Sequence, residues 1–318
     1  MSAVPVLYGH IYGAPIYQLV AAQCPPGVRI DFRERGTDEE LLALLPDYEF
    51  VLGGALKRRH FAAAPKLRLV QCLGVGYDSV DLEAARAAGV MVATTPEGTV
   101  EGVAEHVVLL ILAVNKQLLS AVRALREGQW LVWQLRPTSF MLAGLTVGLL
   151  GLGRIGREVA RRLKGFAVEL VYHDPVAAPA ELEAELGLRR LAFDELLASA
   201  DIVSVHTPLS AATRGLIDRR ALGLMKRDAV LINTSRGEVV DQPALIEALQ
   251  AGRLRGAGLD VFAPEPLPAD SPLLALPQVV LTPHIATGTR QAMAIKAQAQ
   301  FANVLRVLRG EAPLNRVA

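Results

Sequence analysis

Short apolar runs alternate with helix-patterned segments along almost the whole chain, and this alternation limits the fold more than any other feature. The runs are Val4–Tyr8, Phe50–Leu52, Leu67–Leu73 and Val90–Ala93, then Thr146–Leu150, Val168–His173, Ile202–His206, Val230–Asn233, Gly256–Val261 and Val279–Leu281. They have strand length, and most end at Gly, Pro, Asn or Asp. The pattern predicts an α/β fold with parallel sheets wound by crossover helices, and 318 residues suggest about two domains. After Gly74-Val75-Gly76, a helix capped by Asp78 or Ser79 is expected to run to Ala88 and to stop at Gly89. Residues 101 to about 125 read as one long, very apolar helix. Residues 128–143, with Trp130, Trp133 and Pro137, read as an irregular connection. A last helix, about 288–308, follows with no further strand.

Bulk properties exclude several partners. With 33 basic and 32 acidic residues the net charge is +1, so nothing electrostatic calls for nucleic acid or an anionic membrane. Cys24 and Cys72 are too few for a disulfide framework. The N-terminus has no basic region followed by an apolar core, so a cytoplasmic protein without a secretory signal is expected. The most apolar stretch, Val107 to Asn115, is far short of a membrane span and reads as a buried helix. The six histidines include no i,i+4 pair, so no metal site is expected.

Polar residues gather at one kind of place. Asp174, His206, Arg236, Asp260 and His284 all fall at or just beyond the C-terminal ends of predicted strands. In an open parallel sheet those ends line the crevice where ligands bind. Gly151-Leu-Gly-Arg-Ile-Gly156 fits G-x-G-x-x-G, with a strand before it, a helix after it and Asp174 eighteen positions past Gly156. Gly151 permits the tight turn, Gly153 lets the backbone approach a pyrophosphate, and Gly156 lets helix and strand pack closely. The helix start, with Arg154 and Ile155, offers N–H groups and partial positive charge to phosphates. A carboxylate at Asp174 suits ribose hydroxyls and would repel a 2′-phosphate, so NAD is expected in preference to NADP.

Hydride transfer to a keto acid needs a cation for the carboxylate, a proton donor for the carbonyl oxygen, and a neighbour that keeps the donor protonated. Arg236 suits the first role, because its guanidinium is a planar fork that stays charged. His284 suits the second. Glu265 suits the third.

Ile232-Asn-Thr-Ser-Arg-Gly-Glu-Val-Val-Asp241, Asp260-Val-Phe-Ala-Pro-Glu-Pro266 and Thr282-Pro-His-Ile-Ala286 follow the Gly151–Gly156 loop in that order. Gly74-Val-Gly-Tyr-Asp78, Val103-Ala-Glu105 and His206-Thr-Pro-Leu209 add to them. In these motifs, and over nearly its whole length, the chain resembles the D-isomer-specific 2-hydroxyacid dehydrogenases. The resemblance implies that Arg236 binds the substrate carboxylate and that His284, paired with Glu265, is the acid/base. It implies that Asp260 contacts the nicotinamide carboxamide, and that Thr234, Ser235, Ala286 and Thr287 border the nicotinamide. His206, Thr207 and Pro208 join the cofactor set, and the backbone at Val75 and Gly76 helps hold the carboxylate. It also implies two doubly wound domains: a flavodoxin-like substrate domain, 1–100 plus 288–318, and an inserted Rossmann cofactor domain, 101–287. A cleft between them would close over the ligand, and the long helix at about 101–125 would join a homodimer.

Departures from the family pattern bear on substrate. Gly53-Gly54-Ala55-Leu56-Lys57 stands where 3-phosphoglycerate enzymes carry an Arg-Ser-x-Thr segment, which disfavours phosphoglycerate. Glu265 stands where formate dehydrogenases have glutamine, and Val75 where phosphite-oxidising relatives have lysine. Thr94-Thr-Pro-Glu-Gly98 lacks a common asparagine, and Glu101-Gly102 replaces a serine-containing pair. The expected activity is therefore reduction of a small 2-keto acid such as glyoxylate, hydroxypyruvate or pyruvate. The alternatives are a 3-phosphoglycerate dehydrogenase without a regulatory domain and, more remotely, an NAD-sensing co-repressor-like binding protein. The absence of a tail after the last helix argues against the latter.

Overall fold

The computed structural model describes residues 3–318. The chain divides into two compact units, Met1–Thr99 with Gly288–Ala318, and Val100–Thr287. In chain order the first unit opens with β1 (Val4–Tyr8), α1 (Ala14–Ala21), β2 (Val28–Phe32), α2 (Asp38–Leu44) and β3 (Phe50–Leu52). It continues through α3 (Arg58–Ala62), β4 (Leu69–Gln71), α4 (Leu82–Ala87) and β5 (Met91–Ala93). Helices α5 (Thr99–Asn115) and α6 (Leu118–Arg126) lead into β6 (Thr146–Leu150), α7 (Arg154–Leu163), β7 (Glu169–His173), α8 (Ala180–Leu186) and β8 (Leu188–Arg190). Then come α9 (Phe193–Ser199), β9 (Ile202–Val205), α10 (Arg219–Leu224), β10 (Val230–Asn233), α11 (Gln242–Gln250), β11 (Gly256–Leu259) and β12 (Val279–Leu281). The chain returns to the first unit as α12 (Arg290–Leu308).

Unit 1 holds a parallel five-stranded sheet in the order β2-β1-β3-β4-β5, the flavodoxin-like arrangement. Its inner strands read as unbroken apolar runs because helices cover both faces. Helix α12 covers one face, packing Phe301, Val304 and Val307 with Val6, Phe50 and Leu69. Strand β2 alternates Val28, Ile30 and Phe32 with Arg29 and Asp31, as an edge strand with one wet face should. Arg29 and Asp31 pair on that face at 2.8 Å. The sequence reading passed over β2, and likewise β8, whose Leu188 is buried while Arg189 and Arg190 are exposed.

Unit 2 holds a parallel seven-stranded sheet, β12-β11-β10-β9-β6-β7-β8. Counted within the unit, this is the doubly wound dinucleotide-binding order with a seventh strand added. The order reverses between β6 and β9, so the loops after these two strands flank the switch point.

Several predicted boundaries move. The helix expected from Asp78 begins at Leu82, because the Asp81 carboxylate accepts the Ala84 N–H at 2.9 Å and caps it there. The strand expected over 67–73 contracts to β4. The last helix starts at Arg290, capped by Thr289. The single long helix over 101–125 is two helices, α5 and α6, bent by 60°. Gln117 stands at φ 50°, in the left-handed region, with its amide donating to Thr138 Oγ1. A left-handed residue cannot continue a right-handed helix, and periodicity alone does not reveal one.

The two ends of unit 2 meet each other. A Cβ on Gly102 would lie 3.2 Å from the Ala286 carbonyl oxygen and 3.5 Å from the Thr287 Cα. In unit 1, Gly98 abuts Ala292 as closely, at 3.0 Å.

Candidate active site

The parallel register brings Asp174, His206, Arg236, Asp260 and His284 to one edge of the unit 2 sheet, each within a few residues of its strand's carboxyl end. The glycine turn forms the first part of the site. Gly151 takes φ +95° between β6 and α7, a conformation that favours glycine. A Cβ on Gly156 would stand 2.3 Å from the Gly151 carbonyl oxygen, so strand and helix approach closely only without one. Around Gly153, the α7 N-cap, no atom lies within 4 Å of a Cβ position. Backbone there faces open space, as contact with a pyrophosphate requires.

Asp174 closes the turn. Its Oδ2 accepts the Leu152 N–H at 2.8 Å and its Oδ1 the Val176 N–H at 2.9 Å. Each oxygen keeps a further acceptor position. Arg190 from β8 donates to the main-chain oxygens of Asp174 and Pro175 at 2.8 and 3.0 Å. His206 and Thr207 follow β9, with His206 backbone 3.0 Å from a Gly151 Cβ position. His206 Nε2, Thr207 Oγ1 and Thr234 Oγ1 are buried without a protein partner. Buried polar atoms are normally satisfied, so three orphans beside the turn and the β10 end fit a bound dinucleotide. Burial pushes the His206 pKa down to about 4, which makes it a neutral wall rather than a phosphate-binding cation.

Arg236 sits in the turn after β10. Buried Asn233 builds that turn: its Oδ1 accepts the Ser235 N–H and hydroxyl at 3.0 and 2.8 Å, and its Nδ2 donates to the Arg236 carbonyl at 2.9 Å. Arg236 Nη1 donates to the Ser235 carbonyl at 2.7 Å. A Cβ on Gly237 would fall 2.0 Å from the Phe262 carbonyl carbon, so this turn lies flat against the loop that carries Glu265.

His284 Nδ1 is 2.8 Å from Glu265 Oε2, and Glu265 Oε1 accepts the Phe262 N–H at 3.0 Å. Both side chains are half open to solvent, at 48% and 36%. His284 has φ 52°, a conformation costing about 1–3 kcal/mol that persists only where neighbours enforce it. Asp260 does so. It is fully buried. Its main-chain oxygen accepts the His284 N–H at 2.8 Å, and its carboxylate accepts the Ile285 and Ala286 N–H groups, both at 2.9 Å. It also takes the Thr282 hydroxyl at 2.6 Å. His106 on α5 reaches Thr282 Oγ1 at 2.8 Å.

Arg236, Glu265 and His284 thus belong to one set of touching loops in unit 2. Arg154 and Ile155 open α7, and Pro208 follows Thr207 past β9. Ser235 is tied to Asn233, while Ala286 is buried and Thr287 half-buried in the turn beyond His284. Val75 and Gly76 lie in unit 1, in the loop after β4, with Val75 exposed. The sequence assigns no role to Asn233, Thr282 or His106, although the first two stand inside the motifs quoted above. The signal for His106 is an imidazole at the head of the apolar run 107–114 of α5, beside the Val103–Glu105 match.

Residues 108–286 match the family model for the D-isomer specific 2-hydroxyacid dehydrogenase NAD-binding domain. The chain is 39% identical to a glyoxylate reductase of Korarchaeum cryptofilum over 297 residues, 93% of this chain and 87% of that protein. It is 43% identical to a D-3-phosphoglycerate dehydrogenase of Mycobacterium bovis over 260 residues, 80% of this chain but 48% of the relative, so it spans about half that protein's length. The crystal structure of the TT0316 protein from Thermus thermophilus superposes with a TM-score of 0.88 at 36% identity, covering 99% of this chain and all of the other. The glycine turn, the imidazole–carboxylate pair of His284 and Glu265 and these similarities together make the chain a member of the D-isomer specific 2-hydroxyacid dehydrogenase family.

Proposed function

We propose that this NAD-dependent oxidoreductase of 2-hydroxy acids works as a reductase of small 2-keto acids, glyoxylate and hydroxypyruvate among them, with NADH preferred to NADPH. The observation that carries the reading is the 2.8 Å contact of His284 Nδ1 with Glu265. It commits one ring nitrogen to the carboxylate and leaves Nε2 to exchange a proton with the substrate oxygen. Bound nicotinamide supplies or accepts the hydride. Arg236 holds the substrate carboxylate through its guanidinium fork. Val75 and Gly76 offer backbone N–H groups to the same carboxylate. The Gly151–Gly156 turn with Arg154 and Ile155 holds the pyrophosphate, and Asp174 the adenosine ribose. His206, Thr207 and Pro208 line the cofactor's path. Thr234, Ser235, Ala286 and Thr287 border the nicotinamide, and Asp260 keeps one acceptor position on Oδ2 toward its carboxamide.

A panel of 2-keto acids with NADH and NADPH, followed by nicotinamide absorbance, tests the reading. Turnover with NADH on one or more acids is expected. Failure on every acid would overturn it.

The chain also acts as a homodimer in this reading. Trp130 and Trp133 are 76% and 68% exposed, and Leu109, Leu118, Leu119 and Leu125 on α5 and α6 are exposed as well, an apolar concentration typical of an association surface. Sedimentation should give twice the monomer mass, and Leu119→Asp with Leu125→Asp should give the monomer. The unpaired Cys24 and Cys72 support a cytoplasmic setting.

A second reading, oxidation of 3-phosphoglycerate, is favoured by the 43% identity to the mycobacterial enzyme. It is opposed by Gly53–Lys57, which puts glycine where that activity's arginine is expected. Direct assay with 3-phosphoglycerate and NAD decides between them.

A further inference from the structure

In unit 1 the chain leaving β4 is held in a way that regular sheet pairing does not supply. In a parallel ladder the bonds pass between the strands at even spacing. The Met91 N–H donates to the Arg68 carbonyl at 3.0 Å and the Cys72 N–H to the Ala93 carbonyl at 2.8 Å. Continued regularly, the ladder would next join the Thr95 N–H to the Cys72 carbonyl. Instead the Thr95 N–H donates further along the loop, to the Gly74 carbonyl, at 2.8 Å. The Thr95 hydroxyl takes the Cys72 carbonyl in its place, at 2.6 Å. One residue thus grips the loop base at two points and draws in the segment that leads to Val75 and Gly76.

The grip is backed from behind. A hydroxyl has one proton to give and two acceptor positions. The Thr95 proton goes to Cys72, and its oxygen accepts the Gln71 amide at 2.9 Å and the Gln300 amide at 3.5 Å. The same Gln71 amide reaches the Thr94 carbonyl at 3.0 Å, and the Gln71 side-chain oxygen accepts from Asn303 on α12 at 2.8 Å. Thr99 Oγ1 donates to the Thr95 carbonyl at 3.0 Å. Gln71 and Thr95 are wholly buried, and Gln300 and Asn303 nearly so. A buried network with its hydroxyl and amides engaged is rigid. Val75 is exposed, so the loop combines a clamped, dry base with an open tip.

We propose that Thr95 is a positioning residue for the loop 72–76, and that through the loop it sets how tightly the keto acid is held without touching it. This rests on the reading of Val75 and Gly76 given above, as backbone donors to the substrate carboxylate. Backbone N–H groups favour an anion most when they are fixed in place before it arrives. The loop's own sequence, a valine between two glycines, supplies little rigidity, so the fixing has to come from the residue that grips its base.

The test compares wild type, Thr95→Val and Thr95→Ser. Valine keeps the bulk and removes the hydroxyl, whereas serine keeps the hydroxyl. Thr95→Val should raise KM for glyoxylate about tenfold, change kcat less, and leave NADH affinity within about twofold. Amide hydrogen exchange over residues 73–77 should quicken, and Thr95→Ser should bring KM and exchange most of the way back. Should Thr95→Val not fold, Thr95→Cys, which weakens the same bonds, is measured in its place. An unaltered KM or unaltered exchange in the hydroxyl-free variant overturns the proposal, and so does an equal loss in Thr95→Ser. Calorimetric binding of glyoxylate to the protein with NAD, where no turnover occurs, keeps the two readings apart. Weaker binding in Thr95→Val, with no turnover by wild type and NADH, would support the positioning role and sink the catalytic reading. Turnover with binding and KM unaltered in Thr95→Val would do the opposite.

Discussion

Glu265 holds two elements at once: Oε2 meets His284 Nδ1 at 2.8 Å, and Oε1 takes the Phe262 N–H at 3.0 Å. The carboxylate is thereby fixed to its own loop before it orients the imidazole. His284→Ala should lower kcat about 10²–10⁴-fold. Glu265→Gln should lower it less, and the double variant should fall short of the product of the single losses, because the two groups act as a unit. Steady-state kinetics on all three variants checks this. Multiplicative losses would separate the roles.

Arg236→Ala should raise KM for the keto acid and depress kcat while leaving NADH affinity within about twofold. Arg236→Lys should recover little, since an ammonium lacks the fork. Fluorescence titration with NADH alongside kinetics makes the distinction. Lost NADH binding with keto-acid binding spared would contradict the role.

Asp174 binds the glycine turn through the Leu152 N–H as well as facing the ribose in the proposed reading. Asp174→Ala should raise KM for NADH about tenfold or more, narrow the preference over NADPH, and lower Tm by a few degrees. Kinetics with both cofactors and calorimetry read the two effects separately.

The neutral state of His206 makes acid stability measurable. Its pKa is about 4 in the fold against 6.5 for the free side chain, so unfolding takes up a proton between those values. The contribution is fully present above about pH 6.5 and is lost as pH falls toward 4. The full loss is on the order of 3 kcal/mol, reduced by solvent at the exposed part of the ring. Burial displaces His10 and His106 in the same direction and adds to the slope. Calorimetry from pH 7.5 to 5 should show Tm falling, and His206→Asn should flatten the curve.

Gly237→Ala should be severe, because its Cβ would land 2.0 Å from Phe262 backbone. A loss of about 3 kcal/mol or more is expected, or a Tm drop of roughly 6–10 °C. Gly165→Ala, where no atom lies within 4 Å, is the control and should leave Tm nearly unchanged.

Strands buried on both faces were the legible part of the fold. Val4–Tyr8, Thr146–Leu150 and Val230–Asn233 carry their identity in unbroken apolar runs, and the observed strands begin and end where those runs do. Of the four edge strands, Met91–Ala93 and Val279–Leu281 were legible as apolar runs, while Val28–Phe32 and Leu188–Arg190 were not, because they mix charges into the run. The break at Gln117 depends on one left-handed residue held by a side chain from a distant turn, and no local pattern encodes that. Arg236, Glu265 and His284 were readable because each stands beside a strand end or in a proline-flanked motif. Asn233, Thr282 and His106 were not, because their work is to hold other residues, and such roles emerge only once partners distant in sequence come together.

The contact of Gly102 with Ala286 and Thr287 has a consequence for assembly. Because the insert brings its own ends together, the sheet of the first unit and the helix that covers it are separated, in entropic terms, by little more than a short loop. The terminal helix can therefore find its sheet almost as readily as if the nucleotide unit were absent, and that unit is free to gain or lose surface segments without loosening the host that interrupts for it.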